Sequence, residues 1–327
     1  MNLLKSNKFV LCGIAAWGIA GSVQAQADYP NRAMRMIVPF APGGASDHVA
    51  RIIQPNMSEL LGQQVVIDNR SGASGNIGVE TAVRANADGY TFLLGNVGTM
   101  AINPVYYVKF PFKPLKDLIP ITQIVDVPGS LVVNPTLTAK TAKELVAHLK
   151  ANPGKLNYGS AAPSSANNLE MIMFLNMTGT SAVGVPYKGG AGPANVGLIA
   201  NEVQMSFITF SSALPHVKSN RMRMIGVVAP ERNPTMPEVP TMREQGFDMT
   251  VGSWQGLFVP IGTPRSVVNK LQQVAHETMK NALVQKRLID GGVSIVTTKS
   301  PEEFLNFVKS ETDRFGKVIR DSKIQTE

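Results

Sequence analysis

Two short stretches share a pattern suited to anion binding: "VPFAPGGASDHVARII", beginning at Val38, and "LNYGSAAPSSANNLEMIMF", beginning at Leu156. In the first, Pro42, Gly43, Gly44, Ala45 and Ser46 lead from an apolar, strand-like run into a helix-like run with Asp47 at or near its cap. In the second, Gly159, Ser160, Ala161, Ala162, Pro163, Ser164 and Ser165 do the same. The first turn of a helix leaves backbone N–H groups unpaired at the positive end of its dipole, and small side chains let a ligand approach them. That chemistry matches a carboxylate or a phosphate. Either loop alone also reads as an ordinary turn; the pair points to an anion held between two domains. A β-branched side chain at Gly44 would either block the ligand or force the loop out of a glycine-only conformation.

Catalysis finds less support. His48, His148, His216 and His276 are spread out, and none forms the His-x-x-x-His spacing of a zinc helix. "SGASGN", from Ser71, misses the Gly-x-Ser-x-Gly elbow by one position. "YKGGAGPA", from Tyr187, has neither the Lys-Ser/Thr pair of a nucleotide-phosphate loop nor the glycine spacing of a dinucleotide fingerprint, and Lys188 reads as an exposed or cleft-edge residue. No catalytic residue, metal site or cofactor is expected. The competing class is an exported hydrolase on a two-domain α/β scaffold, with Ser164 or Ser165 as its nucleophile.

The elements that must position these loops alternate in period. The first half predicts strands at Met34–Pro39, Val65–Asp68 and Thr91–Leu94, with helices at Asp47–Leu61 and Ile77–Ala85. Pro55 predicts a kink or a late break in the first helix. A second series predicts strands at Leu131–Val133, Leu156–Tyr158, Val183–Val185, Val203–Ile208 and Met222–Val228, with helices at Leu169–Met177, Pro193–Ala200 and Leu214–Ser219. Thr141 and Glu144 open a further helix with a capping-box pattern. The last portion predicts a strand at Gly256–Val259, one helix at Ser266–Leu288, and another opened by Ser300, Pro301 and Glu303. Such alternation implies mostly parallel sheets covered by helices.

At 327 residues the chain is too long for one ordinary core, so two domains are expected. Residues 1–25 read as a secretory signal peptide, with Lys5 and Lys8 in a basic head, an apolar run from Phe9 to about Ile19, and small residues at a cleavage site. Cleavage after Ala25 or after Ala27 fits the spacing; we place it after Ala25. The apolar run is shorter than the roughly 20 residues of a membrane span. The chain's single cysteine, Cys12, falls inside this segment, so the exported protein is expected to be thiol-free and stabilised by its core. Loss of both lysines takes the formal charge from +8 to +6, a basic surface that can steer anions. The basic residues are scattered and few aromatics lie among them, which argues against nucleic acid.

The segments "YPNRAMRMIVPFAPGGASDHVAR", "LGQQVVIDNRSGASGNIG", "ADGYTFLLGN", "GTMAINP", "PGKLNYGS", "VPYKGGAGPA", "SSALPHVKSNRMR" and "GLFVPIGTP" together resemble the Bug family, the solute-binding proteins of tripartite tricarboxylate transporters. The resemblance covers nearly the whole exported chain, in order. It implies a monomeric periplasmic binding protein of Venus-flytrap form, an α/β fold whose two domains trap a carboxylate ligand and deliver it to a membrane permease. It also implies a first domain of residues 28–125 plus 229–327 and a second of 126–228.

Carried over position by position, the resemblance assigns ligand contacts to Gly43, Gly44, Ala45, Ser46 and Asp47, to Ser160, Ala161, Ser164 and Ser165, and to Ala73 of "SGASGN". Asn168 stands where relatives usually have histidine, and Ile208 where they usually have Asp or Asn. Losing those polar groups disfavours an amino-acid ligand, whose ammonium would want a carboxylate partner. A dicarboxylate or an aromatic carboxylate is expected instead. Tyr187 and Trp254 are candidates for an apolar wall or for ordinary interdomain packing.

Overall fold

A computed structural model describes residues 29–109, 112–187, 191–249, 252–321, 324 and 326. The expected signal peptide with its cleavage site, Cys12 and Lys188 lie outside the described residues. Strands β1 (Met34–Val38), β2 (Val65–Asn69), β3 (Thr91–Asn96) and β4 (Leu118–Val127) open the chain. Strands β5 (Gly129–Val133), β6 (Asn157–Ser160), β7 (Val183–Pro186), β8 (Met205–Thr209) and β9 (Arg223–Val228) form a separate sheet in the order β7-β6-β8-β5-β9. Strands β10 (Ser253–Pro260) and β11 (Ser294–Ile295) then return to the first sheet, giving β11-β4-β10-β3-β1-β2.

The expectation of mostly parallel sheets is corrected: both are mixed. Helical crossovers make β1 parallel to β2 and β3, and β6 parallel to β7 and β8. Strands β10 and β11 in the first sheet and β5 in the second run the other way. β4 and β10 pair antiparallel with each other, β10 also with β3, and β5 pairs antiparallel with β8 and β9.

Strand alternation puts Met34, Met36 and Val38 on one face of the first sheet and Ile37 on the other. The first face packs on Val49, Ile53 and Met57 of the helix Ala45–Leu61, spaced four residues apart, and on the helix Arg265–Lys280. The second face packs on Phe304 and Phe315 of the helix Pro301–Asp321. In the second sheet, Leu131 and Val133 face Phe174 and Leu175, while Val132 faces Leu198 and Phe210.

Local signals hold at several ends. Thr141 accepts from the Glu144 N–H at 3.1 Å, and Ser300 from the Glu303 N–H at 3.1 Å. The helix Ala45–Leu61 runs unbroken through Pro55 and stops at Gly62, whose φ of 63° closes it. The single helix expected over Ser266–Leu288 is instead two, Arg265–Lys280 and Ala282–Asp290. Asn281 breaks it: its backbone is extended and its side chain accepts from the N–H groups of Leu283 and Val284 at 3.0 and 3.2 Å. Asn281→Ala should cost about 1 kcal/mol in urea denaturation, the usual worth of such a cap. Unchanged stability would show that packing alone sets the break.

Candidate functional site

The first loop leaves β1 and reaches its helix through Gly43, at φ 89°, and Gly44, at φ −89° and ψ 173°. Gly43 therefore occupies the left-handed region that favours glycine, and Gly44 does not. The expectation of a glycine-only conformation at Gly44 is thus corrected, and the requirement lies one residue earlier. No side chain caps this helix, and its first internal bond runs from the His48 N–H to the Gly44 carbonyl at 3.0 Å. Among the described residues, the N–H groups of Ala45, Ser46 and Asp47 have no partner.

Asp47 turns back to hold this loop in shape. Its carboxylate accepts from the Gly43 N–H at 3.1 Å, from Arg51 at 2.9 Å and from Asn69 at 3.2 Å. Burial pushes the Asp47 carboxyl up, but the bonds from Arg51, Gly43 and Asn69 outweigh it and hold the group below its usual range. Asp47 is thus ionised, neutralised by Arg51 and committed to the loop.

The second loop leaves β6 and enters the helix Ala166–Thr178. Ser165 caps that helix, accepting from the Asn168 N–H at 3.2 Å and donating to the Ala162 carbonyl at 2.8 Å. Ser160 donates to the same carbonyl at 2.9 Å, and the Asn168 amide donates to the Pro163 carbonyl at 2.7 Å. These three side chains knit the loop together from behind. Ser164 reaches across to the first sheet's domain and donates to Asn103 Oδ1 at 2.6 Å.

A third loop carries backbone strain. Gly72, Ala73, Ser74 and Gly75 all have positive φ, at 124°, 45°, 55° and 89°, and two of them are not glycine. Such residues cost on the order of 1–3 kcal/mol each and persist where surroundings over-determine them. Here Asn103 donates to the Ser74 carbonyl at 3.0 Å, and the Ser74 and Tyr107 hydroxyls pair at 2.7 Å.

The three loops border one cavity of ≈ 70 Å³ between the domains. A cavity needs only about 10–15 Å³ to hold one water, so this one has room for more than one water or for one small acid. Gly44, Ala45 and Ser46 border it from the first domain, and Ala161, Ser164 and Ser165 from the second. Ala73 and Tyr187 border a neighbouring space, and Gly43 lies with Tyr187 at the cleft edge. Asp47, Ser160 and Asn168 sit behind the loops they stabilise, and Ile208 is buried in the second domain's core beside Val132 and Leu198.

Trp254 is not a wall of this cavity. Its indole donates to Glu311 at 3.0 Å and packs edge-on against Phe304 and Phe307. Its neighbour Gln255 projects to the opposite face of β10 and borders the cavity, as alternation along a strand requires. Sequence reasoning missed Gln255, along with Phe40, Asn96, Asn103, Thr209 and Ser253. Only the alternation in "GSWQGLFVP" hinted that one of its residues faces away from the core. No charged side chain borders the cavity among the described residues, so an anion there would meet helix N-termini, hydroxyls and amides.

Residues 49–324 match the model of the tripartite tricarboxylate transporter family receptor. The chain belongs to this family. It is 34% identical to Protein BugT of Bordetella pertussis over 325 residues, covering 98% of each chain. MatC from Rhodopseudomonas palustris, solved with bound malate, superposes with a TM-score of 0.84 at 30% identity, covering 89% of this chain and 100% of that one. An R. palustris protein solved with adipate superposes with a TM-score of 0.88 at 31% identity, covering 91% and 99%. As a Bug-family receptor the protein has the two-domain α/β fold of periplasmic binding proteins and is a solute-binding protein, not an enzyme. The serine hydroxyls agree with that role: Ser164 donates to an amide and Ser165 to a carbonyl, so neither is hydrogen-bonded to a base.

Proposed function

We propose that this receptor acts in the periplasm, binds a small dicarboxylate between its domains and delivers it to the membrane permease of a tripartite tricarboxylate transporter. One observation carries the reading. The N-terminal turns of the helices Ala45–Leu61 and Ala166–Thr178, one from each domain, border the same cavity, and among the described residues no charged side chain shares it. Two positive helix ends and their free N–H groups suit one carboxylate. Relatives solved with malate and with adipate support the ligand class. With Trp254 in the core, the aromatic carboxylate loses one of its two proposed walls.

In this reading Gly44, Ala45, Ser46, Ala161, Ser164 and Ser165 face the ligand, and Asp47, Ser160 and Asn168 hold the loops. Residues 28–125 plus 229–327 and residues 126–228 are the two moving halves of a monomer, exported by residues 1–25. A ligand present at about 100 times its dissociation constant adds roughly 2.7 kcal/mol to stability. Melting of the purified protein should therefore rise by several degrees with at least one of succinate, malate or adipate, and by less with the matching amides. A panel in which neutral sugars shift melting and no carboxylate does would refute the assignment.

A further inference from the structure

Gln255 is the least satisfied polar group bordering the cavity. It is 0% exposed, and among the described residues neither its Nε2 nor its Oε1 has a hydrogen-bond partner. On β10 it stands directly opposite Asn96 of β3, which borders the same cavity. A buried amide with both atoms unpaired is strongly disfavoured unless something else completes it. Asn96 differs, since its Oδ1 already accepts from the Thr99 N–H at 3.0 Å. Its Nδ2 is left as a donor.

A plain carboxylate cannot complete Gln255, because it only accepts: it would satisfy Nε2 and leave Oε1 bare. A hydroxyl beside a carboxylate offers a donor and an acceptor on neighbouring atoms. That matches the two ends of an amide, and turning the amide over merely exchanges which end meets which group. We propose that Gln255 is the specificity-determining residue of this receptor and that it selects a hydroxy acid. In this assignment, which rests on the carboxylate-receptor reading above, one ligand carboxylate lies on the helix N-termini. The ligand hydroxyl donates to Gln255 Oε1, and Gln255 Nε2 and Asn96 Nδ2 donate to the distal carboxylate.

The test compares two acids that differ by one hydroxyl, malate (each enantiomer) and succinate, by calorimetry on the exported protein and on Gln255→Met, with the melting temperature of each ligand-free protein. Methionine keeps the volume and removes both polar atoms. The native protein should bind one malate enantiomer roughly 10- to 100-fold more tightly than succinate, the usual worth of a buried hydrogen bond that one ligand completes and the other does not. Gln255→Met should bind both acids alike, near the native affinity for succinate, and should melt at the same or a higher temperature without ligand. A structural glutamine would give the opposite, a clearly lower melting temperature, and would overturn the proposal. So would a malate-to-succinate ratio that is the same in both proteins, or native protein that favours succinate. Native protein that binds adipate but neither test acid would also overturn it while leaving the carboxylate reading intact; if no carboxylate binds, both fall.

Discussion

Glu170→Gln should change stability by less than about 1 kcal/mol near pH 5 and raise it by several kcal/mol at pH 9. Glu170 lies on the helix Ala166–Thr178, 1% exposed, with its carboxyl against Gly129 where β5 begins. A Cβ at Gly129 would collide with that carboxyl. Burial pushes the Glu170 carboxyl from 4.5 up to about 8, partly opposed by the Asn167 amide, which donates to it at 3.0 Å. The folded state therefore holds a proton that the unfolded chain releases between about pH 4.5 and 8. Stability is undiminished below the lower value, falls as pH rises through the window, and reaches its full loss above the upper one. At about 1.4 kcal/mol per pKa unit, the loss is on the order of 3–5 kcal/mol. Glutamine mimics the protonated acid and cannot titrate, so its profile should lack this decline. Asp126, raised to about 6 by burial and by Glu311, keeps a smaller decline between about pH 4 and 6 in both proteins. Denaturant titrations at pH 5, 7 and 9 measure the difference. Parallel profiles for the two proteins would show that Glu170 is ionised in the fold.

Gly44→Val should lower affinity for the carboxylate ligand by about 100-fold or more while leaving the ligand-free fold intact. The reason is occupancy of the cleft, since the extended backbone at Gly44 accepts any residue. A Cβ built there lies 3.8 Å from the Cβ of Ala191, at the start of a helix in the other domain. One methyl fits at that distance. The branched arms of valine would press on Ala191 or cover the N–H groups of Ala45 and Ser46, and each charge-assisted bond lost there is worth about 1.5–3 kcal/mol. Gly44→Ala should accordingly cost much less than Gly44→Val. Calorimetric affinities of the two variants, beside their ligand-free melting temperatures, separate this account from a structural one. Equal, native-like affinity in both would mean that ligand does not approach this turn.

How much of this was legible beforehand follows the range of the forces involved. The strand–loop–helix units at Val38 and Leu156 were readable because an apolar run, a cluster of small residues and an amphipathic stripe are all local patterns. The caps at Thr141 and Ser300 were readable for the same reason, as each links residues three apart. The ordered set of family segments was readable because a loop that presents its backbone to a ligand tolerates few side chains. Strand β4 was missed: "LIPITQIVDV" is buried on both faces for most of its length, so it shows no alternation.

By itself, then, the sequence determined an α/β chain with two helices that each start after a small-residue loop, because backbone geometry and hydrophobic period act over a few residues. Only the tertiary structure decided that both starts open on one cavity, that Ser164 meets Asn103, that Trp254 turns into the core and that Gln255 stands beside Asn96. Each of these depends on pairing or packing between segments that lie roughly 50 to 160 residues apart in the chain. The energy that selects such partners comes from burying whole sheet and helix faces together, and it leaves no periodic mark on either segment alone.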